Sequence, residues 1–286
     1  MRLVCIGNFS EYIGGIFIGD KYEPIPTAGL RNSPFFITLI DYLSKYYEVI
    51  RVDTSKTSIH TWENTWGIST LFKDLNFKIE DDDIIFYIQN HLNFSKDISN
   101  PIIYFHIDGP PAFNISDVGL GFRRYSRDYY PVGLKHITLQ HWIFPELHNP
   151  NKEKTNFIID LSRDTTIEKY KGILESSKYI LIKGDWVSNR VFEAMVSKTI
   201  PLIITWKENR NFIKMRQVYE EMGLKDGVNC YFIDLYDWNR TLVFNEYNEV
   251  MAQEGFELII KNHTFHNRIE KIKQEIDNYM NSISKT

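Results

Sequence analysis

The stretch richest in chemistry is Val187-Ser-Asn-Arg-Val-Phe-Glu-Ala-Met195. Ser188 is a natural helix N-cap, because its hydroxyl can accept a backbone N–H that the first helical turn leaves without a partner. Arg190 then falls in the first turn, and Glu193 follows three residues later on the same face. A nucleoside diphosphate needs planar cationic donors and free N–H groups around its phosphates, and a helix N-terminus carrying an arginine offers both. Its ribose needs an acceptor for two hydroxyl protons, a role for a carboxylate. Ser188, Asn189, Arg190 and Glu193 are therefore candidate donor-binding residues. On spacing alone, a surface Arg–Glu pair worth ~0.2–0.5 kcal/mol is the stronger reading.

A second candidate lies in Ile102-Ile-Tyr-Phe-His-Ile-Asp-Gly-Pro-Pro-Ala-Phe113. The apolar run reads as a strand ending in a sharp loop, so Asp108 stands at its carboxyl end. A carboxylate there can serve as a general base toward an acceptor hydroxyl. An Asp that merely opens an Asp-Gly-Pro turn explains the same letters. Downstream, Gly121-Phe-Arg-Arg-Tyr-Ser-Arg-Asp-Tyr-Tyr130 interleaves Arg123, Arg124 and Arg127 with aromatics. Cations for phosphates and rings for stacking suit an enzyme that flips a base out of DNA. Alone, the patch reads better as a solvated loop. Gly14-Gly15 either approaches the donor or forms a turn, with the turn favoured.

These residues need a scaffold of alternating strands and helices. Short β-branched runs predict strands at Leu3–Gly7, Val49–Val52, Ile84–Ile88, Ile102–His106 and His136–Gln140. A further set is predicted at Phe157–Leu161, Tyr179–Ile182, Pro201–Thr205 and Cys230–Ile233. Helical patterns fall at Pro34–Tyr46, at about 165–176, 188–197 and 209–222, and over Asn262–Ile283. Such alternation means βαβ units and parallel sheets. The polar, two-proline segment Phe144–Thr155 reads as the linker between two Rossmann-like halves. In such sheets, ligands bind beyond the carboxyl ends of the strands.

The flanking pattern sharpens the donor reading. Arg190 and Glu193, followed by Glu193-Ala-Met-Val-Ser-Lys-Thr-Ile-Pro-Leu-Ile203, resemble the donor-binding segment of GT-B glycosyltransferases. That resemblance implies a diphosphate contact for Arg190 and a ribose contact for Glu193. His263-Thr-Phe-His-Asn-Arg268 resembles the end of group-1-like transferases, whose last helix crosses back to the first domain. A narrower resemblance, to the DNA β-glucosyltransferases of T-even bacteriophages, rests on Asp108 and its prolines, on Ile182-Lys-Gly-Asp185 and on Arg190-Val-Phe-Glu193. It implies Asp108 as the base of an inverting transfer. The resemblance departs where the second domain has few strands before Tyr179, and further phosphate-binding arginines are not located.

The expected fold class is α/β, GT-B: two Rossmann-like domains with parallel sheets facing a central cleft. The expected division is 1–145 on the acceptor side, 146–262 for the nucleotide sugar, and a crossing helix at 263–286. The expected function is transfer of glucose, or a pentose such as arabinose, from a UDP-sugar to 5-hydroxymethylcytosine in phage DNA. A transferase of glycan synthesis and a non-catalytic nucleotide-sugar-binding module are the alternatives.

Composition bounds the rest. A hydrophobic fraction of 43% in 286 residues supports a packed core. The net charge of −4 argues mildly against a polyanion partner and fits a glycan acceptor better. Two cysteines in apolar runs predict a reducing, cytoplasmic location, that of the host cell for a viral protein. No apolar stretch approaches the ~18 residues of a membrane span. A monomer is expected. With no His/Cys/Asp cluster recognised at metal-ligand spacing, a metal-independent site is expected beyond the UDP-sugar itself. The histidines read as structural, with His263 and His266 capping or packing at a helix start.

Overall fold

The computed structural model describes residues 2–7, 15–18, 21–24, 34–54, 57, 66–88, 94–106, 118–122, 135–139, 143, 145–159, 167–183, 187–234, 236 and 246–283. The chain divides into two compact units. The first comprises residues 1–122, 128–139 and 275–286; the second comprises 123–127 and 140–274.

The first unit begins with β1 (Arg2–Gly7), the hairpin of β2 (Gly15–Ile18) and β3 (Lys21–Pro24), then α1 (Pro34–Leu43) and β4 (Glu48–Asp53). The short strand β5 (Trp66–Gly67) leads into α2 (Ile68–Asp74). Then come β6 (Ile84–Ile88), β7 (Phe94–Ser95), β8 (Ile102–His106), β9 (Val118–Phe122) and β10 (Lys135–Leu139). Six strands form one parallel sheet in the order β10-β9-β8-β6-β1-β4. The run Leu3–Ile6 is buried on both faces, as a central parallel strand requires. Val4, Ile6, Ile85, Tyr87, Ile102 and Tyr104 pack with Ile68, Leu71 and Phe72 of α2. The order reverses between β1 and β6, which creates the switch point where open α/β sheets bind ligands.

The predicted strands of this unit are all present, within a residue or two at their ends. Not anticipated were the β2–β3 hairpin, α2 and β9. Gly121 and Phe122, read above as loop, are the last residues of β9, paired with Thr138 and Leu139 of β10. Alternating Gly119 and Gly121 hide the strand, because a glycine supplies no apolar period.

The second unit carries β11 (Asn156–Ile159), α3 (Ile167–Glu175), β12 (Ser177–Ile182), α4 (Asn189–Val196), β13 (Ile200–Thr205), α5 (Arg210–Glu221), β14 (Tyr231–Asp234) and α6 (Glu249–Asn262). The four strands are parallel and adjacent in chain order, β11-β12-β13-β14. Every residue of β13 is buried. Two-residue alternation splits its side chains between two cores. Ile180, Ile182, Ile203 and Phe232 pack with α3, α4 and α5, while Tyr179, Leu202, Ile204 and Ile233 pack with Met251 and Ala252 of α6. Gly255 lets α6 approach α4: a Cβ there would lie 3.2 Å from Met195 Cε and 3.3 Å from the Asn229 carbonyl.

Of the segment read as a linker, residues 145–155 are anchored within the second unit. Pro145–Leu147 forms a 3-10 turn, His148 Nδ1 lies 3.0 Å from Ser197 Oγ, and the Asn149 N–H donates to Glu175 at 2.9 Å. Polar, proline-bearing sequence signals missing regular structure, and here side-chain anchoring takes its place. The helix expected over Asn262–Ile283 is α7 (Phe265–Ile283); Asn262 itself ends α6, and His263-Thr264 separate the two helices. Thr264 Oγ1 accepts the Asn267 N–H at 3.2 Å and Asn267 Oδ1 accepts the Thr264 N–H at 3.0 Å, a reciprocal cap that starts a new helix. The far part of α7 belongs to the first unit, where Tyr47 donates to Asp277.

Candidate donor site on the second sheet

The carboxyl end of β12 leads into α4. Ser188 is extended (φ −107°, ψ 135°) and its Oγ accepts the Arg190 N–H at 3.3 Å. This is the cap expected from the sequence. The Ser188 N–H is held in turn by the Tyr219 hydroxyl at 2.7 Å, so α5 fixes the entry to α4. Val191, Phe192, Ala194, Met195 and Val196 are buried, which anchors the helix and leaves Arg190 and Glu193 half-buried.

Arg190 and Glu193 converge on one residue of α3. Tyr170 donates its hydroxyl to Glu193 Oε2, and the Arg190 guanidinium sits 6.0 Å from the centre of the Tyr170 ring. Sequence pattern points to neither Tyr170 nor Tyr219. Both reach α4 from other βαβ units, 23 and 31 residues away from the groups they bind. Asn189, the first helical residue, buries its Oδ1 without a hydrogen-bond partner among the described residues. A buried acceptor left without a hydrogen bond costs ~1–3 kcal/mol.

Gly15 opens β2, opposite Pro24. Gly14, Asp108, Arg123, Arg124 and Arg127 lie outside the described residues, as does His141. His263 is buried between the Met222 carbonyl, 2.8 Å from Nε2, and Arg268 Nη2, 3.2 Å from Nδ1, which is a packing role. His266 lies 3.6 Å from Glu146 at the surface.

An acidic run, Glu80-Asp81-Asp82-Asp83, precedes β6. Glu80, Asp82 and Asp83 offer oxygens within 4.8 Å of one another. Asp83 is already committed. Arg2 binds it in bidentate fashion at 2.7 and 2.6 Å, and it accepts the Glu80 N–H at 2.8 Å. Burial pushes its carboxyl upward, but Arg2 and the Glu80 N–H outweigh that and hold it below the usual value. The cluster ties the start of β1 to the start of β6. No described helix is long and apolar enough to cross a membrane.

Comparison with known proteins bears on the fold. The chain aligns end to end with Anabaena HepE, solved in complex with UDP-glucose, at a TM-score of 0.50 and 7% identity, covering 99% of this chain and 100% of that one. Partial alignments are found with TarM (TM-score 0.43, 12% identity, 71% of this chain) and with the pneumococcal O-GlcNAc transferase GtfA, solved with UDP and GlcNAc (TM-score 0.43, 11% identity, 74%). The chain spans 56% of TarM and 59% of GtfA. No family model and no curated protein matches the sequence. The alignment with HepE over both full chains shows a shared fold, α/β with parallel sheets.

Proposed function

We propose that this protein is a glycosyltransferase that takes a UDP-sugar on its second unit, and that a sugar such as glucose or arabinose passes to 5-hydroxymethylcytosine in double-stranded DNA. The observation that carries the donor half is the start of α4. A capped helix N-terminus, an arginine in its first turn and a carboxylate one turn on match a diphosphate followed by a ribose. The fold shared with HepE, solved in complex with UDP-glucose, supports the same donor. In this reading Arg190, with Ser188 and Asn189 at the helix start, faces the diphosphate and Glu193 takes the ribose hydroxyls. Helix N-H groups and arginine do the charge work, without a required metal.

The acceptor half rests on sequence. Asp108 follows β8 of the first sheet, and parallel sheets present their chemistry at that end. Asp108 takes the proton of the hydroxymethyl group, its oxygen attacks the anomeric carbon, and the bond from that carbon to the diphosphate breaks. UDP leaves with the electron pair, and the configuration inverts. Arg123, Arg124 and Arg127 hold the phosphates of a duplex from which the base has been flipped. In this reading residues 1–145 form the acceptor-side domain, 146–262 the nucleotide-sugar domain and 263–286 a C-terminal helix. The protein works as a monomer in the cytoplasm.

Incubation with UDP-sugars and hydroxymethylcytosine DNA tests the whole. Sugar transfer to DNA that is lost in Asp108→Asn is the expected result. Transfer to saccharides and never to DNA would replace the acceptor with a glycan, the reading that the net charge of −4 favours. UDP binding with no turnover on any acceptor would leave a binding module.

A further inference from the structure

We infer that Tyr170 is a positioning residue for the donor: it aims the Glu193 carboxylate at the ribose and supports Arg190, so it sets how strongly the site distinguishes a ribose from a deoxyribose. The inference rests on the donor reading of α4 and goes beyond it. Glu193 is a flexible side chain on an amphipathic helix, and ordering it costs rotamer entropy unless a neighbour holds it. Tyr170 does so from α3, through its hydroxyl on Glu193 Oε2. Its ring is held by packing against the second-unit core, so the donor is rigid. The same ring faces the Arg190 guanidinium at 6.0 Å. One side chain thus touches both the residue assigned to the phosphates and the residue assigned to the sugar.

The occupied oxygen has a chemical consequence. A carboxylate has about four acceptor positions on two oxygens. Tyr170 fills one of these positions on Oε2. The carboxylate therefore meets the 2′- and 3′-hydroxyls in a set orientation. Loss of the Tyr170 hydroxyl removes that hold on Glu193 and weakens the recognition, while the phosphates remain held.

Calorimetric titration with UDP and with 2′-deoxy-UDP, on full-length protein, separates the cases. The wild type is expected to prefer UDP by about tenfold or more, since a site built around a hydroxyl penalises its absence. Tyr170→Phe, with unchanged melting temperature, is expected to cut that preference to about twofold. Tyr170→His keeps a ring whose N–H stops short of Glu193, so it is expected to lose the preference as the phenylalanine variant does, and it serves as a second reading should that variant lose stability. An unchanged preference in either folded variant overturns the positioning role. Glu193→Gln is the control on the underlying reading. If it keeps the full preference, Glu193 is not the ribose ligand and the donor assignment itself fails. If it abolishes the preference while Tyr170→Phe does not, the role of Tyr170 alone is lost.

Discussion

The two ends of the second sheet are built on opposite terms. At the amino end, the chain satisfies itself. Lys154 donates to the carbonyls of Glu175 and Ser197 at 2.7 and 2.6 Å and to Thr199 Oγ1 at 3.0 Å, so one ammonium closes the C-termini of α3 and α4 together. Thr199 Oγ1 donates in turn toward the Leu174 and Ser177 carbonyls. Cations at helix C-termini are favoured by the helix dipole, and here two carbonyls and one hydroxyl take the three protons of the amine. At the carboxyl end, α4 begins with a cap, an arginine, a carboxylate and a buried Asn189 acceptor with no partner among the described residues. An end that is closed by its own side chains stabilises. The carboxyl end shows no such closure around Asn189 Oδ1 among the described residues.

That contrast predicts separable losses. The largest should come from Lys154→Met, which strands three buried acceptors and is expected to lower unfolding free energy by about 3 kcal/mol. Chemical denaturation measures it, and UDP affinity per folded molecule should not change. Arg190→Ala should do the reverse. It is expected to weaken UDP binding about thirtyfold, or ~2 kcal/mol, the worth of a charge-assisted contact, with stability nearly unchanged. Equal effects of both variants on both readouts would erase the distinction between the two ends.

A pH titration sharpens the comparison further. Burial lowers His148 to about 3, with Lys171 adding to the effect. An unfolded histidine protonates near 6.5. Between those values the unfolded chain binds the additional proton, so stability is full above about 6.5 and declines as pH falls toward 3. His148→Asn should flatten that part of the curve in thermal melts. The smallest effect belongs to Ser188→Ala, which removes the α4 cap for ~1 kcal/mol. It is expected to leave the amino-end network intact.

Much of the scaffold was legible from residue order alone. β1, β6, β8, β12 and β13 are short β-branched runs, and their burial on both faces is why they read as continuous hydrophobic strings. The cap at Ser188 and the helical pairing of Arg190 with Glu193 are local facts of 3.6-residue geometry, and they stand as expected. β9 was not legible, since its glycines carry no pattern. The Phe144–Thr155 segment was read as a tether because its polar residues match a loop, and loop composition carries no information on what those residues will grip.

Sequence by itself determined the parallel α/β character and the start of α4, because both follow from periodicity and capping within a dozen residues. Only the tertiary structure decided that Tyr170 meets Glu193 and Arg190, that Tyr219 fixes Ser188, and that Lys154 closes two helices at once. Those contacts join residues 20 to 43 positions apart. They exist because right-handed βαβ crossovers bring successive helices side by side on one face of the sheet, a proximity that no local spacing encodes.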